Sequence, residues 1–151
     1  MADEKRYYFA YGSNIAKEQM ASRCPGSQLA GRAHLLGHSF LISERGVASV
    51  APARDCVTQG LLWTVTPADE RALDRFEGIA KGHCVKKLVA VHAADSNEAV
   101  EALIYVASNN SPGIPWPGYL EKIIPAACEC GFPPEYVAEL ESWMAAKKVQ
   151  S

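Results

Sequence analysis

The chain lacks a long apolar run and an excess of basic charge. No uninterrupted apolar stretch approaches the roughly 18 residues that cross a bilayer. The charged opening Met1–Arg6 also lacks the apolar core of a signal peptide. The formal net charge is −2, and the basic residues are spread along the sequence. These absences argue against a membrane or nucleic-acid partner, so we expect a cytoplasmic protein that binds a small molecule.

A disulfide framework and metal-ligand spacing are also missing. The cysteines are odd in number and irregularly spaced, which is typical of free thiols in a reducing compartment; they are Cys24, Cys56, Cys84, Cys128 and Cys130. The pair Cys128 and Cys130 has no second pair at zinc-site spacing. His34 and His38 lie in a segment that reads as strand or turn rather than helix. We therefore expect no metal site.

The length and composition indicate one folding unit. A chain of 151 residues without repeats, linkers or low-complexity tracts matches the usual size of a single domain, so we expect one domain over residues 1–151. Apolar residues make up 48% of the chain and charged residues 21%, which is enough apolar material for a core of its own.

Hydrophobic alternation and turn residues predict strands and helices in a mixed order. The predicted strands are 7–10, 28–36, 39–42, 47–52, 57–65, 84–93 and 98–108. The predicted helices are 15–23, 67–77, 119–130 and 134–147. A strand-rich middle with inserted and appended helices predicts an α+β fold, with a twisted, partly barrel-like, mostly antiparallel sheet and flanking helices. The turn-rich segment 109–118 is expected to cover something.

The first candidate site is the junction Tyr11-Gly12-Ser13-Asn14, where a strand gives way to a helix. In the structural interpretation, Gly12 supplies the turn and Ser13 or Asn14 caps the helix. In the functional one, consecutive N–H groups at the helix start form a cradle for a carboxylate or an oxyanion. A phosphate loop is disfavoured, because the second glycine and the following lysine of that motif are missing.

The second candidate is Glu77, at the end of its predicted helix. Negative charge is disfavoured there by the helix dipole, and Leu73 and Phe76 lie close by on the helix. A partly buried carboxylate in this place should have a raised pKa, which suits a general acid and base. The alternative is an ordinary solvated glutamate. Tyr105 and Tyr119 are further candidates, either as core rings or as hydroxyls at a pocket edge.

Taken together, these segments resemble the γ-glutamyl cyclotransferase family over most of the chain. The likeness rests on Tyr11-Gly12-Ser13-Asn14 after the first strand, Glu77-Gly78 after a short helix, and Tyr119 leading the sequence Lys122-Ile123-Ile124. Gly60-Leu61-Leu62-Trp63 and Tyr105-Val106 resemble further strands of that family.

The resemblance implies the fold of that family and a cofactor-free, metal-free reaction. The α-amine of a γ-glutamyl amide attacks its own γ-carbonyl, giving 5-oxoproline and a free amine. Glu77 would carry the proton, and the backbone at Tyr11, Gly12 and Ser13, with Asn14, would bind the substrate. Tyr119 and Tyr105 would supply hydroxyls at the rim. The family includes enzymes for several leaving groups, and the sequence leaves that choice open.

One departure keeps other interpretations open. Where the family often has a tyrosine after its Glu-Gly, this chain has His83-Cys84. A non-catalytic module that binds a carboxylate-bearing small molecule is one alternative. A thiol enzyme using Cys84 with His83 is another, disfavoured because neighbours on a strand point to opposite faces. Assembly is left open between a monomer and a homodimer.

Overall fold

The computed structural model describes residues 5–150, with side chains up to Met144. Its strands are β1 (Arg6–Ala10), β2 (Gln28–Ile42), β3 (Ala48–Val65), β4 (Cys84–Ala93) and β5 (Ala99–Ala107). Its helices are α1 (Lys17–Arg23), α2 (Pro67–Phe76), α3 (Tyr119–Cys130) and α4 (Pro134–Gln150), and short 3-10 turns span Ser13–Ile15 and Ile79–Lys81. In this part of the chain, no helix has the length and apolar character needed to cross a membrane.

The five strands form a closed barrel in the order β1-β3-β2-β4-β5. Neighbouring strands are antiparallel except where β1 meets β5, at the parallel pair Tyr8 and Leu103. Closure removes the free edges that an open sheet would expose. The predicted α+β class with a barrel-like, mostly antiparallel sheet and flanking helices is confirmed.

The prediction of four separate strands between residues 28 and 65 is wrong. The structure has two long strands, β2 and β3, paired from Gln28 with Thr64 to Ile42 with Ala48. The residues that were expected to form turns instead form irregularities within these two strands. Gly37 and Asp55 adopt positive φ, and the pairing moves from Leu36–Val57 to His38–Pro52, so β3 accommodates extra residues as a bulge. Local turn chemistry therefore bends the hairpin instead of breaking it.

Helix α2 begins and ends as the sequence predicts. The Thr66 hydroxyl accepts the Asp69 N–H at 3.1 Å, and the Asp69 carboxylate accepts the Thr66 N–H at 3.0 Å, which completes a capping box. Gly78 has φ +68 and ends the helix in the left-handed conformation. Leu73 is fully buried and anchors the helix in the core. Glu77 is thereby held at a defined place.

The turn-rich loop between β5 and α3 docks on the tip of the β2–β3 hairpin. The Gly113 N–H donates to the Ile42 carbonyl at 2.8 Å, and the Trp116 N–H donates to the Gly46 carbonyl at 3.0 Å. A Cβ on Gly113 would lie 2.2 Å from the Ser43 carbonyl oxygen, so only glycine allows this approach. The loop is consequently fixed against the barrel.

Candidate active site

A cavity of about 460 Å³ opens at the end of the barrel where β1 and β5 finish and β3 and β4 begin. Its size lies in the usual range for small-molecule sites. Every residue singled out from the sequence lines it: Tyr11, Gly12, Ser13, Asn14, Glu77, Tyr105 and Tyr119. Segments separated by more than a hundred positions in the chain therefore share one wall.

Glu77 is the one acid among the described residues that line the cavity. It follows α2 directly, and its N–H donates to the Leu73 carbonyl at 2.8 Å. Burial raises the pKa of the Glu77 carboxyl above its usual value, while the Arg23 charge and a contact from the Cys84 thiol oppose that rise. The resulting carboxyl can both accept and return a proton closer to neutral pH than an exposed glutamate can.

The expectation that Ser13 or Asn14 caps a helix is wrong. No side chain caps the 3-10 turn Ser13–Ile15 or helix α1. Instead, the Ser13 hydroxyl accepts from Gln19 Nε2 at 2.6 Å. The junction is still the start of a helical turn, since the Ile15 N–H donates to the Gly12 carbonyl at 3.2 Å. The first N–H groups of such a turn have no partner within it. The Ser13 N–H approaches the Tyr119 hydroxyl on the cavity wall, so an anionic group in the cavity would meet both.

Asn14 is buried and links three other side chains of the cavity wall. Its Nδ2 donates to the Tyr8 hydroxyl at 3.0 Å, and its Oδ1 accepts from Gln19 at 3.0 Å and from Arg23 at 3.3 Å. The Arg23 guanidinium also lies 4.3 Å from the centre of the Phe76 ring. Asn14 thus holds a cation beside Glu77, and its own polar atoms are occupied.

The hydroxyls of the cavity tyrosines are hydrogen bonded to other groups of the protein, whereas Tyr105 and Tyr119 were expected to offer free hydroxyls at the rim. Tyr119 lies nearest that role, because its oxygen accepts the Ala48 N–H at 2.9 Å on the cavity wall. The Tyr11 hydroxyl donates to the Tyr105 carbonyl, and the Tyr105 hydroxyl donates to Asp74 Oδ1 at 2.7 Å. Burial raises the pKa of all three phenols, so each keeps its proton at neutral pH. Tyr11 and Tyr105 offer the cavity their rings rather than free hydroxyls.

Tyr105 also ties α2 to the barrel. Its partner Asp74 lies one helical turn before Glu77 and is 3.0 Å from Lys86 on β4. The Lys86 ammonium also pairs with Glu70, on the same helix. Two strands, β4 and β5, therefore hold the side of α2 that carries Glu70 and Asp74, just before Glu77. Because these groups are partly exposed, each pair adds only modestly to stability, and their main effect is on orientation.

His83 and Cys84 both line the cavity, which contradicts the expectation that they face opposite ways. His83 precedes β4, so strand alternation does not apply to it. The Cys84 thiol donates to Glu77 Oε1 at 3.9 Å. Burial, with the Glu77 charge next, raises the pKa of Cys84 to about 11. The thiol is therefore protonated at neutral pH and is a poor nucleophile.

We expect Gly12→Ala to impair the site without unfolding the protein. The added Cβ would lie 3.0 Å from the Tyr119 hydroxyl oxygen and 3.2 Å from the Ala48 Cβ. Overpacking of this kind costs about 1–3 kcal/mol, a loss of roughly 5-fold to 150-fold in kcat/KM if the site absorbs it. The measurement is a double-mutant cycle with Tyr119→Phe, which removes the obstructing oxygen. An equal loss in both backgrounds would show that the Tyr119 hydroxyl is not the obstruction.

Several cavity residues were not found from the sequence. Tyr8 is buried and its neighbour Tyr7 is exposed, although both belong to the same aromatic strand. The local sequence does not tell the two apart. Arg23, Arg45 and Trp116 come from three distant segments. The sequence around an arginine or a tryptophan in a loop does not indicate which cavity its side chain will line. The described residues contain no group of three or more His, Cys, Asp or Glu side chains arranged to hold a metal ion.

Known proteins share this fold. A solved structure named gamma-glutamyl cyclotransferase superposes with a TM-score of 0.83 at 25% identity, covering 91% of this chain and 87% of that one. Among curated proteins, the gamma-glutamylcyclotransferase of Mus musculus is 28% identical over 89% of this chain and 77% of its own length. The human protein of that name is 27% identical, over 93% and 79%.

The closed barrel with helices at one cavity is thus the γ-glutamyl cyclotransferase-like fold, as the resemblance implied. A model of the AIG2-like family matches residues 58–140, more than half of the sequence. The chain belongs to the AIG2-like family. The matched segment includes Glu77, Tyr105 and Tyr119, whereas the junction at Tyr11–Asn14 lies before it.

Proposed function

We propose that this protein is a γ-glutamyl cyclotransferase, which converts a γ-glutamyl amide to 5-oxoproline and a free amine. The observation that carries the proposal is the placement of Glu77. It is a carboxyl with a raised pKa that faces the same cavity as the N–H groups of a helical turn. Relatives that carry the name of this activity support it further.

The cavity would act first by fixing the shape of the substrate. The γ-glutamyl chain has to fold so that its α-nitrogen approaches its own γ-carbonyl carbon. Well-oriented intramolecular reactions reach effective molarities of about 10⁵–10⁸ M, so orientation supplies much of the rate. The N–H groups at Ser13 and Asn14 would bind the α-carboxylate, with the positive charge of Arg23 held nearby by Asn14.

Glu77 would then move the protons of the reaction. The α-nitrogen reacts as the free amine, so the ammonium first loses one proton to solvent. The ionised carboxyl then accepts a second proton from the attacking α-nitrogen as the new C–N bond forms. The protonated carboxyl returns a proton to the leaving nitrogen as the original amide C–N bond breaks. One residue serves both steps because they occur in sequence, and Glu77 is ready for the next cycle once the leaving nitrogen takes the proton. Tyr119 keeps its own proton and would donate it in a hydrogen bond to the developing negative oxygen.

The direct test is the appearance of product. Purified protein incubated with γ-glutamyl-alanine should release 5-oxoproline and alanine in equal amounts, measured by chromatography. Chelator-treated protein should show the same rate, since the proposed chemistry uses no metal ion. Binding of γ-glutamyl compounds without product from a broad panel would instead identify a non-catalytic binding module.

We expect the acid limb of the kcat/KM profile to lie above the usual titration range of glutamate. Burial raises the pKa of Glu77, and the ionised form is needed for the first step, so activity falls as the pH drops through that raised pKa. Arg23 opposes the rise. Arg23→Gln should therefore move the limb to still higher pH.

Arg45→Gln is the matched control for that shift, because Arg45 lies on the same cavity and is not among the groups that move the Glu77 pKa. The midpoint pH of its acid limb should equal that of the unaltered protein, even where the height of the kcat/KM profile changes. An Arg23→Gln midpoint that also equals it would show that Glu77 is not the group reported by this limb.

A further inference from the structure

The cavity holds more positive charge than a γ-glutamyl group requires. Of the described lining residues, Arg23, Arg45 and Lys122 are basic and Glu77 alone is acidic. A γ-glutamyl group carries one carboxylate and one ammonium, so it is neutral overall near pH 7. The surplus of cations indicates that the rest of the substrate brings negative charge of its own.

Two of the three cations are hydrogen bonded to side chains next to the 3-10 turn. Arg23 is hydrogen bonded to Asn14, and the Lys122 ammonium donates to Gln19 Oε1 at 3.0 Å. Arg45 makes no ion pair or side-chain hydrogen bond with any other described residue. It is exposed at the tip of the β2–β3 hairpin, so its guanidinium is available to a ligand.

Arg45 lies at the exposed mouth of the cavity, whereas Asn14, beside the 3-10 turn, is only 3% exposed. The charge of Arg45 acts on Cys84, whose thiol contacts Glu77, so Arg45 and Glu77 border the same space. A γ-glutamyl group bound at the buried 3-10 turn with its carbonyl near Glu77 would leave its leaving group at the exposed mouth, where Arg45 lies. A cavity of about 460 Å³ has room for a substrate of two residues.

The exposed indole of Trp116 lies beside Arg45. The Trp116 side chain is 59% exposed although it lines the cavity. Its backbone bond to Gly46 and the 2.7 Å approach of its Cδ1 to the Cβ position of that glycine hold it beside Arg45. An aromatic surface of this kind gains from covering by an apolar side chain.

We propose that Arg45 and Trp116 form a subsite for the leaving group and select γ-glutamyl amino acids whose leaving residue is apolar or aromatic. Arg45 binds the carboxylate of that residue, and Trp116 packs against its side chain. The inference rests on the proposed cyclotransferase function. It assigns the open side of the cavity a preference for leaving groups that are both anionic and apolar.

The test for Arg45 compares γ-glutamyl-phenylalanine with γ-glutamyl-phenethylamine, which differ only in the carboxylate. The unaltered protein should favour the carboxylated compound by tenfold or more in kcat/KM. Arg45→Gln should lose roughly 10-fold to 100-fold on that compound, as expected for a charge-assisted hydrogen bond. It should stay within about twofold on the amine. Arg54→Gln, on the exposed bulge of β3 and outside the cavity, is the matched control.

Trp116 is tested with γ-glutamyl-phenylalanine and γ-glutamyl-alanine. Trp116→Ala should lower kcat/KM about tenfold for the phenylalanine compound and less than about threefold for the alanine compound, and Trp116→Phe should restore most of the difference. Equal losses on both compounds would indicate a merely structural role. Equal losses from Arg45→Gln on the acid and the amine would overturn the charge-recognition role.

The same three compounds separate failure of this subsite from failure of the proposed function. If the amine is converted but Arg45→Gln changes nothing, the activity stands and the subsite is wrong. If no compound yields 5-oxoproline, the proposed function fails, and calorimetric binding of the same compounds decides the subsite. Binding that depends on the carboxylate and is lost in Arg45→Gln supports it, and any other binding result overturns it.

Discussion

Replacing Glu77 by Gln is expected to lower kcat by about 10²–10⁴-fold, the usual contribution of a positioned general acid and base. The amide has nearly the same shape but holds no transferable proton at neutral pH. Substrate binding should be retained, because the groups proposed to hold the γ-glutamyl chain are elsewhere. The measurement is 5-oxoproline release at saturating substrate, with binding followed separately by calorimetry.

The same substitution should leave the stability unchanged or raise it. Burial raises the pKa of Glu77 in the folded state, so the folded protein holds this proton more tightly than the unfolded chain does. Stability contributed by the protonated carboxyl is present at low pH and is lost as the pH rises through the usual and then the raised pKa. Above that range, Gln avoids burying a charge, and its melting temperature should equal or exceed that of the unaltered protein.

Glu101→Gln is the matched control for the loss of activity. Glu101 is exposed on β5 and is not among the residues that line the cavity, so its kcat should stay within about twofold. Near-normal turnover in Glu77→Gln would contradict the proposed role. A loss of folding, seen as a lowered melting temperature, would contradict the account of its burial.

Leu73→Ala is expected to cause the largest loss of stability among the changes considered. Leu73 is fully buried in the core and lies on α2 one turn before Glu77, whose N–H it accepts. Truncating a buried leucine typically costs about 2–5 kcal/mol, from lost transfer energy and the cavity left behind. For a chain of this size each kcal/mol lowers the melting temperature by roughly 2–4 °C. Calorimetry or denaturant titration gives the value.

Leu88→Ala provides the comparison with the same chemistry at an exposed site. The Leu88 side chain is 50% exposed on β4, so its removal leaves no internal cavity. Its effect should stay near 0.5 kcal/mol, in the range of about ±0.5 kcal/mol for surface substitutions. Similar losses for the two leucines would show that α2 is not anchored through Leu73, and would weaken the account of how Glu77 is positioned.

Much of the local structure could be predicted because local chemistry specifies it. The boundaries of α2 follow from the capping residue Thr66, the proline after it and the glycine at its end. The failure at β2 and β3 has an equally physical reason. Gly37 and the Arg54–Asp55 pair look like turns, but β2 and β3 remain paired on both sides of them, so the extra residues of β3 form a bulge.

The family resemblance drawn from the sequence is confirmed by the AIG2-like match and by the relatives named gamma-glutamylcyclotransferase. The roles of the site residues are less well predicted from the chain alone. Tyr105 and Tyr119 were both expected to offer hydroxyls at a rim, yet the Tyr105 hydroxyl is bound by Asp74. A hydroxyl's partner depends on elements that are distant in sequence, and periodicity carries no information about it.

By itself, the sequence determined the helices, the α+β class and the chain positions of a strand-to-helix junction, a helix-ending acid and a tyrosine at the start of α3. These follow from periodicity, turn chemistry and charge within a few neighbouring residues. Only the tertiary structure decided that Arg45, Trp116 and Cys84 meet around that acid, because barrel closure brings segments together that have no local relation. Burial in that shared cavity, a property of the whole fold, is also what raises the pKa of Glu77.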